Sequence, residues 1–311
     1  MIGRKLKIAV LMGGNSSEAA VSYKSAANIT AVLQDMGHDV VAFDFWPSEI
    51  PQLIDYAPDM AFNMMHGRYG EDGCVQGILE LLSIPYTGSG VTASSVAMNK
   101  HMTKTILDAN GIHTPKGILI KKGTVIDINK LNEDIKSTLN GYPCVIKPNC
   151  SGSTVGLTIL KEESGLSSAI ELAKQEKDDI LIEEFISGKE ITVSVLGDKP
   201  LPVIEISTTR EVFDWEAKYT PGYTEHIIPA RLPEQLLLTC QDIAVKTSSA
   251  LGCMGASRVD MIVCESNDVF VLEINTIPGM TKTSLYPDAL SHAGISLVDF
   301  ANYMIEDCLK R

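Results

Sequence analysis

The sequence predicts a protein of mixed α/β and α+β class, with a parallel sheet near the N-terminus and mixed sheets in the rest of the chain. Its 311 residues favour two or three domains at roughly 100 to 200 residues each. Hydrophobic residues make up 45% and charged residues 21%, which is typical of a chain that folds throughout. Because the periodicity of the apolar residues changes twice, we expect three domains, at 1–98, 99–187 and 188–311.

The first domain alternates short apolar runs with helical patterns. Lys7–Met12 reads as a strand that enters a glycine turn, and the helical pattern after it stops at Gly37. Two further strands, Val40–Phe45 and Met60–Met64, precede a helix over Val75–Leu82. Strands that alternate with helices predict a parallel sheet with helices on its faces.

The second and third domains combine short strands with fewer helices. Thr92–Ala109 reads as one continuous helix. The strands predicted after it are Gly117–Ile120, Cys144–Lys147, Thr158–Leu160, Ile180–Glu184, Ile191–Leu196, Leu201–Ile206, Val259–Cys264 and Val269–Ile274. The other predicted helices are Glu163–Gln175, Pro233–Leu251, Leu285–His292 and Leu297–Leu309. The polar segment Lys218–Ala230 interrupts this pattern.

The net charge excludes some classes of partner, and the cysteine content indicates the cellular compartment. The formal net charge of -13 repels phosphate backbones and anionic lipids, so neither nucleic acid nor a membrane is an expected partner. A secretory leader is not predicted, and no apolar stretch reaches the ~20 residues that span a bilayer. The seven cysteines lack CxxC spacing, which favours reduced thiols in the cytoplasm.

Two polar segments follow predicted strands of the first domain. The run from Gly13 to Glu18 lies at a strand-to-helix turn, where free backbone N–H groups suit an anion. Glu18 opposes a phosphate there and suits an ammonium group better, although a tight turn capped by Ser16 or Ser17 also explains the pattern. The run from His66 to Gly73 follows the third strand, where ligands gather in open α/β sheets. A loop in which Asp72 caps the next helix is the alternative.

Two more segments suit a nucleotide and a metal. Lys147 enters a loop rich in glycine and hydroxyl groups, whose small residues let backbone N–H groups approach phosphate oxygens. Period-two alternation places Arg258 and Asp260 on one face of their strand, and Glu273 and Asn275 on one face of theirs. If these strands pair, three oxygen ligands converge in a way that suits Mg²⁺. Chance placement of such groups on apolar strands would bury charge at considerable cost.

Taken together, these segments resemble the D-alanine–D-alanine ligase family, a branch of the ATP-grasp enzymes. The matching stretches span essentially the whole chain and are GGNSSE, MHGRYGEDGCVQG, IPYTGSGVTASSVAMNK, IKPNCSGSTVG, LIEEFISGKE, WEAKYT, GASRVD and EINTIPGMTKTSL. The resemblance implies an ATP-grasp fold and ATP-dependent joining of two D-alanines through an acyl phosphate, for peptidoglycan precursor synthesis. It also implies two Mg²⁺ ions, which Mn²⁺ can replace, and a cytoplasmic homodimer.

The resemblance assigns an ATP site and a metal site. Lys100 and Lys147 would contact the phosphates. Ser153, in the loop that follows Lys147, would also bind the nucleotide. The residues expected along the adenine hinge are Glu183, Glu184, Phe185 and Ile186, and Glu190 would hold the ribose. The residues that resemble the metal ligands are Asp260, Glu273 and Asn275.

The resemblance also assigns residues to the two amino acids. Glu18 would bind the ammonium of the first amino acid, supported by His66, and Ser284 and Leu285 would receive the carboxylate of the second. Arg258 and the backbone N–H of Gly279 would stabilise the tetrahedral intermediate. Ser153 and Tyr219 would join Glu18 in closing a loop over the site, from which Lys218 reaches the transferred phosphate.

The chain departs from the family pattern at three places. Ala19–Ala20 stand where an arginine and an acidic residue commonly follow the glutamate, Ser151 replaces a glutamate, and Lys282–Thr283 replace a Ser-His pair. A ligase for another amino-acid pair is therefore an alternative, as is a catalytically silent nucleotide-binding homologue. A dinucleotide-dependent oxidoreductase does not fit, because the GxGxxG fingerprint is lacking.

Overall fold

Three separate sheets contain the strands of the computed structural model, which describes residues 4–14, 16, 18–153, 155–208 and 224–311. The first sheet has the order β2-β1-β3 and is parallel throughout, which confirms the parallel sheet predicted for the N-terminal region. Its strands are β1 (Lys7–Met12), β2 (Asp39–Asp44) and β3 (Met60–Asn63). Its helices are α1 (Ala19–Asp35), α2 (Ile50–Tyr56) and α3 (Cys74–Leu81). After the exposed Lys7, strand β1 is apolar, as is typical of a strand that is buried on both faces.

The end of the chain packs onto this first sheet. Helices α9 (Leu285–His292) and α10 (Leu297–Leu309) share a hydrophobic core with β1, β3 and α1. The ring centroids of Phe62 and Phe300 lie 6.5 Å apart, and those of Tyr286 and Phe300 lie 5.7 Å apart. The last helices therefore bring Ser284 and Leu285 close to Glu18 at the start of α1.

The predicted helix Thr92–Ala109 is two helices, so this prediction is wrong in one respect. Helix α4 covers Val91–Met98 and α5 covers Lys100–Ala109. Asn99 lies between them with an extended backbone, and its side chain accepts a hydrogen bond from the Met102 N–H. A cap of this kind begins a new helix because it satisfies an N–H group that has no partner within the helix. The break places Lys100 at the start of α5.

The second sheet is antiparallel, with the order β4-β7-β5-β6. Its strands are β4 (Gly117–Ile120), β5 (Cys144–Pro148), β6 (Thr158–Leu160) and β7 (Ile180–Glu184). Two helices pack on it, α6 (Ile128–Thr138) and α7 (Leu166–Lys174). The sequence did not predict α6, because its run of eleven residues is mostly polar and buries few side chains. The predicted helix Glu163–Gln175 starts as a 3-10 turn and becomes α-helical at Leu166.

The third sheet carries the central polar strands. Its main order is β11-β10-β8-β12-β13, with β9 beside β8. The strands are β8 (Lys189–Leu196), β9 (Lys199–Pro200), β10 (Ile204–Thr208), β11 (Thr224–Ile227), β12 (Ala256–Val263) and β13 (Val269–Asn275). Helix α8 (Glu234–Ala250) packs against it. The strand expected at Leu201–Ile206 begins at Ile204, after Pro202, which has no N–H to donate to a ladder.

The polar segment Lys218–Ala230, from which the resemblance predicts that Lys218 and Tyr219 close over the site, is described only in part. Its residues 218–223 lie outside the described residues, and its described part begins with β11. All seven cysteines are free, as expected for reduced thiols. Among the described helices, none is both long enough and apolar enough to cross a membrane.

Candidate functional site

The paired strands β12 and β13 carry four polar side chains in register. Arg258 lies opposite Asn275, and Asp260 lies opposite Glu273, which confirms the predicted pairing across the short turn. A bulge after Asp260 shifts the register, so Met261 lies opposite Val271. A bulge of this kind increases the local twist, and the skipped residue, Leu272, lines the same cavity as Asp260 and Glu273.

Asp260 is the centre of a hydrogen-bond network in the middle of the third sheet. Its Oδ1 accepts from Thr192 Oγ1 at 2.6 Å and from Arg258 Nε at 2.9 Å. Its Oδ2 accepts from an Arg258 Nη at 2.7 Å and from Asn275 Nδ2 at 3.1 Å. A buried carboxylate requires such partners, and here they also fix the direction in which the carboxylate points.

The donor set at this pair of strands suits a hard divalent cation. Within the described residues no cluster of three or more His, Cys, Asp and Glu side chains is placed to hold a metal. Asp260 and Glu273 supply two carboxylates, and Asn275 supplies a carboxamide, which makes a mixed set of oxygen ligands of the type that Mg²⁺ takes together with phosphate oxygens and water. Asn275 presents Nδ2 to Asp260 here, and rotation of the carboxamide about its last bond presents the oxygen instead.

Three lysines on α5 and β5 contact carboxylates near these strands, one at Glu273 and two at Glu183. Lys100 Nζ lies 3.2 Å from Glu273 Oε2 and donates to the Ser151 carbonyl at 2.8 Å. Burial disfavours the charged form of Lys100, but Glu273 outweighs burial and raises its pKa. Lys104, which the sequence did not single out, donates to Glu183 Oε1 at 2.6 Å.

Glu183 holds two of these lysines at once. Its other oxygen, Oε2, contacts Lys147 Nζ. Burial disfavours the charged carboxylate, yet Lys147 and Lys104 together lower the pKa of Glu183, whereas burial lowers the pKa of Lys104. Glu183 lines the cleft as expected, but its carboxylate is engaged by lysines rather than aimed at a purine.

The start of α5 is bonded to the end of β5, which sets Lys100 and Lys147 side by side. The Lys100 N–H donates to the Asn149 carbonyl at 3.2 Å, and the His101 N–H donates to Asn149 Oδ1 at 2.9 Å. Asn149 Nδ2 in turn donates to Asn99 Oδ1 at 2.9 Å. The helix break at Asn99 therefore positions Lys100 next to the end of β5.

A first cavity lies between the second and third sheets, with these lysines at one end. It brings together every residue that the sequence assigned to ATP except Ser153, namely Lys100, Lys147, Glu183, Glu184, Phe185, Ile186 and Glu190, along with Asp260 and Glu273. Apolar side chains such as Val145, Leu157 and Ile262 line its opposite walls. A cavity with apolar walls and lysines among its lining residues matches a nucleotide, whose base is apolar on its faces and whose phosphates are anionic.

A second cavity adjoins the first, and Glu273 lines both. It gathers the residues that the sequence assigned to amino acids, namely Glu18, His66, Ser153, Arg258, Gly279, Ser284 and Leu285, together with Asn275. It also contains Glu71 and His226, which the sequence did not single out. Lys218 and Tyr219, which were expected here, lie outside the described residues.

Glu18 links the first sheet to the glycine-rich loop. Its carboxylate accepts a hydrogen bond from Ser153 Oγ, across a separation of 135 residues. A Cβ at Gly152 would lie 2.6 Å from Glu18 Oε2, so the approach requires glycine there. Glu18 itself occupies the N-cap position of α1, and Ser16 Oγ accepts from its N–H at 3.2 Å. The serine therefore supports the turn, and the carboxylate is left to face the cavity.

Two buried titratable groups stand behind Glu18. Burial lowers the pKa of His66, whose Nε2 lies 3.3 Å from Ser25 Oγ. Burial, followed by the charge of Glu18, raises the pKa of Glu71 to about 8. Glu71 accepts hydrogen bonds from the N–H groups of Gly67 at 2.6 Å and Ile277 at 3.2 Å. The sequence placed Glu71 in a polar loop but gave no sign that it would be buried.

The segment after β13 is anchored to α1 and to the start of α9. Ser25 Oγ accepts from the Met280 N–H at 3.0 Å, and Asn28 Nδ2 donates to the Met280 carbonyl at 2.9 Å. Ser284 is the N-cap residue of α9, and its Oγ accepts from the Thr281 N–H at 3.1 Å. These bonds hold Gly279 and Ser284 at the wall of the second cavity.

Two protein-family models match this chain. A family model described as D-ala D-ala ligase C-terminus matches residues 106–306. A second model, D-ala D-ala ligase N-terminus, matches residues 48–89.

Curated relatives match over nearly full length. A D-alanine–D-alanine ligase of Halalkalibacterium halodurans is 44% identical over 311 residues, which cover 98% of this chain and all of the relative. One of Syntrophotalea carbinolica is 45% identical and covers 93% of this chain and 92% of the relative.

Solved structures agree in fold. The D-alanine–D-alanine ligase of Bacillus anthracis superposes with a TM-score of 0.86 at 36% identity, over 98% of both chains. Its complex with ATP gives a TM-score of 0.83. The VanG D-Ala:D-Ser ligase of Enterococcus faecalis gives 0.82 at 30% identity, over 97% of this chain and 99% of that one.

Proposed function

We infer that this chain, which belongs to the D-alanine–D-alanine ligase family, uses ATP to join two D-alanine molecules into D-alanyl-D-alanine. Both family models and full-length relatives support this reaction, and the fold is that of the ATP-grasp enzymes. The observation that carries the proposal is the pair of adjoining cavities with Glu273 at their boundary. One cavity suits a nucleotide and the other a zwitterion, so a phosphoryl group can pass between them.

In the first step the carboxylate of one D-alanine attacks the γ-phosphorus of ATP, which gives an acyl phosphate and ADP. Lys100 and Lys147, at the polar end of the first cavity, would neutralise the phosphates and hold them in line. Asp260, Glu273 and Asn275 would hold two Mg²⁺ ions, or Mn²⁺ in their place, which when bound neutralise phosphate charge.

Glu18 would orient the first D-alanine by pairing with its ammonium group. A carboxylate at the wall of a closed site needs a cationic partner, and Ser153 already donates to it from the glycine-rich loop. His66, which burial keeps neutral, would support this end of the pocket without adding a competing cation.

In the second step the amine of another D-alanine displaces phosphate from the acyl phosphate. Arg258 and the N–H of Gly279 would stabilise the tetrahedral oxyanion, because both line the second cavity. Ser284 and the N–H of Leu285, at the start of α9, would hold the second carboxylate. Lys218 and Tyr219 are proposed from the resemblance alone to close the site, where water has to be excluded from the acyl phosphate.

A ligase for a different amino-acid pair is the alternative within the same chemistry. Ala19–Ala20 remove the charges that commonly follow the glutamate, and a structural neighbour is a D-Ala:D-Ser ligase. A catalytically silent homologue is less well supported, since the lysines, Arg258 and the three oxygen ligands are all present and converge.

Three further features belong to this proposal. The enzyme would act in the cytoplasm, in peptidoglycan precursor synthesis. It would be a homodimer, because symmetric dimers are the commonest soluble oligomers. Its domains would divide at 98/99 and 187/188, with the second sheet in the central domain and the third sheet in the C-terminal one.

The test is a ligation assay on the purified protein with ATP and Mg²⁺. D-alanine alone should release phosphate and yield a product with the mass of the dipeptide, whereas L-alanine should release none. Mixtures of D-alanine with D-serine then decide which second substrate is preferred. Phosphate release without any dipeptide, or no release with any D-amino acid, would overturn the proposal.

A further inference from the structure

A histidine and a carboxylate that have no role in the scheme above form a close pair at the second cavity. His226 Nδ1 lies 2.6 Å from Asp288 Oδ2. His226 belongs to β11, at the edge of the third sheet, and Asp288 belongs to the first turn of α9. The pair therefore joins β11, which lies within the polar segment Lys218–Ala230, to the helix that Ser284 caps.

The arrangement of the pair aims the imidazole at the cavity. His226 lines the second cavity and Asp288 does not, so the carboxylate stands behind the ring. The side chain of His226 is 20% exposed. Its other nitrogen, Nε2, has no hydrogen-bond partner among the residues that the structure describes. One nitrogen is thus fixed by Asp288 and the other is available to a molecule in the cavity.

The ring lies at the carboxylate end of the second amino-acid site. The Asp288 N–H donates to the Ser284 carbonyl at 3.4 Å, which places Asp288 one helical turn after the cap. His226 therefore stands over the first turn of α9, where free N–H groups favour an anion. Thr283 lines the same wall, at the position where family members commonly carry a histidine. The imidazole reaches this wall from β11 instead.

The chemistry of the pair selects an anion. A carboxylate accepts only, so the bond to Asp288 requires the proton on Nδ1. A second carboxylate at Nε2 is bonded through an N–H, which the doubly protonated ring supplies. Arg258 shares the cavity and favours an anion there as well, while Glu18, Glu71 and Glu273 line its other walls.

We propose that His226 is a specificity-determining residue that binds the carboxylate of the second amino acid through Nε2–H, and that Asp288 is its positioning residue. This inference rests on the proposed ligation. It adds a side-chain contact to those of Ser284 and Leu285, which line the same cavity.

The proposed reaction has two D-alanine KM values: the first KM is that of the first amino acid, and the second KM is that of the second. Steady-state kinetics that separate these two values test the proposal. His226→Gln keeps a polar side chain but cannot become a cation, so the second KM should rise about tenfold or more, as for loss of a charged hydrogen bond. The first KM and the KM for ATP should stay within about twofold. Asp288→Asn should also raise the second KM, but by a smaller factor than His226→Gln.

His292→Gln is the matched control. His292 lies on α9, its Nδ1 is 2.9 Å from the Asp288 carbonyl, and it is exposed. This variant changes the same residue type on the same helix without touching the cavity, so all three KM values should equal those of the wild type.

Two results would overturn the proposal, and a third would overturn the proposed function instead. An unchanged second KM in a His226→Gln variant that melts like the wild type excludes the contact. If that variant does not fold, an unchanged second KM in Asp288→Asn excludes it. Absence of any dipeptide from the wild-type protein contradicts the ligation itself.

Discussion

The buried cluster of Glu183 with two lysines should contribute strongly to stability, and Glu183→Gln tests this. The side chains of Glu183 and Lys104 are only 3% and 7% exposed, and their charged atoms lie 2.6 Å apart. Glutamine keeps the shape of the side chain but removes the charge between Lys104 and Lys147. Two buried ammonium groups then repel each other without a counter-ion, so the variant should lose about 3–5 kcal/mol of unfolding free energy.

The exposed pair Glu171–Lys174 on α7 provides a control with the same atoms at the same distance. Its Nζ and Oε1 are also 2.6 Å apart, but its side chains are 70% and 43% exposed. Because solvent screens such pairs, Glu171→Gln should lose no more than about 0.5 kcal/mol. The comparison tests burial together with the second lysine at Glu183, since the substitution and the Nζ–Oε1 distance are the same in both variants.

Urea unfolding of both variants at pH 7 gives the two free energies. The lowered pKa of Glu183 means that its contribution is complete above the unfolded-state pKa and is lost as the pH falls through the folded-state value, so neutral pH measures it in full. A second substitution, Lys104→Met in the Glu183→Gln background, should recover part of the loss. Equal losses for Glu183→Gln and Glu171→Gln would refute the reasoning.

Three further predictions concern the proposed active site. Glu273→Gln should reduce turnover about 100-fold or more without unfolding the protein, and a variant with normal turnover and normal Mg²⁺ dependence would exclude the metal site. Glu18→Gln should raise the KM of the first D-alanine more than it weakens ATP binding, which calorimetry measures. The wild type should also accept D-2-aminobutyrate if Ala19–Ala20 widen the pocket. Glu71, whose pKa is raised to about 8, keeps its proton in the folded state while the unfolded state has lost it. The free energy of unfolding should therefore fall by roughly 1.4 kcal/mol for each pH unit between the two pKa values, and Glu71→Gln should remove this slope; parallel pH profiles for the two proteins would contradict it.

Local patterns were sufficient to predict the polar pair of strands. Alternation along β12 and β13 placed Asp260 and Glu273 on facing positions, and the register confirms that they are direct neighbours. The same kind of reasoning was wrong at Asn99, where the helical pattern continues but a side-chain cap breaks the helix. Apolar periodicity reports which face is buried and is insensitive to a single residue that leaves the helical conformation.

Residues whose role depends on burial were missed. Lys104, Glu71 and His226 lie in segments that read as an ordinary helix face, a polar loop and the polar segment Lys218–Ala230. The pKa shifts of Lys104 and Glu71 follow from what packs over them, which no spacing along the chain reveals. The assignment of Glu183 to the adenine hinge likewise gave no hint that two lysines engage its carboxylate.

The sequence by itself determined most of the helices and strands of this protein, the polar side chains that face each other on paired strands and the family to which the motifs belong, because these follow from residue type and short-range periodicity. The tertiary structure decided which distant side chains meet. Glu18 bonds Ser153 across 135 residues, Lys104 bonds Glu183 across 79, and His226 meets Asp288 across 62. A strand or helix fixes the direction of a side chain relative to its own backbone, whereas the partner that neutralises a buried charge is set by how separate sheets and helices pack together.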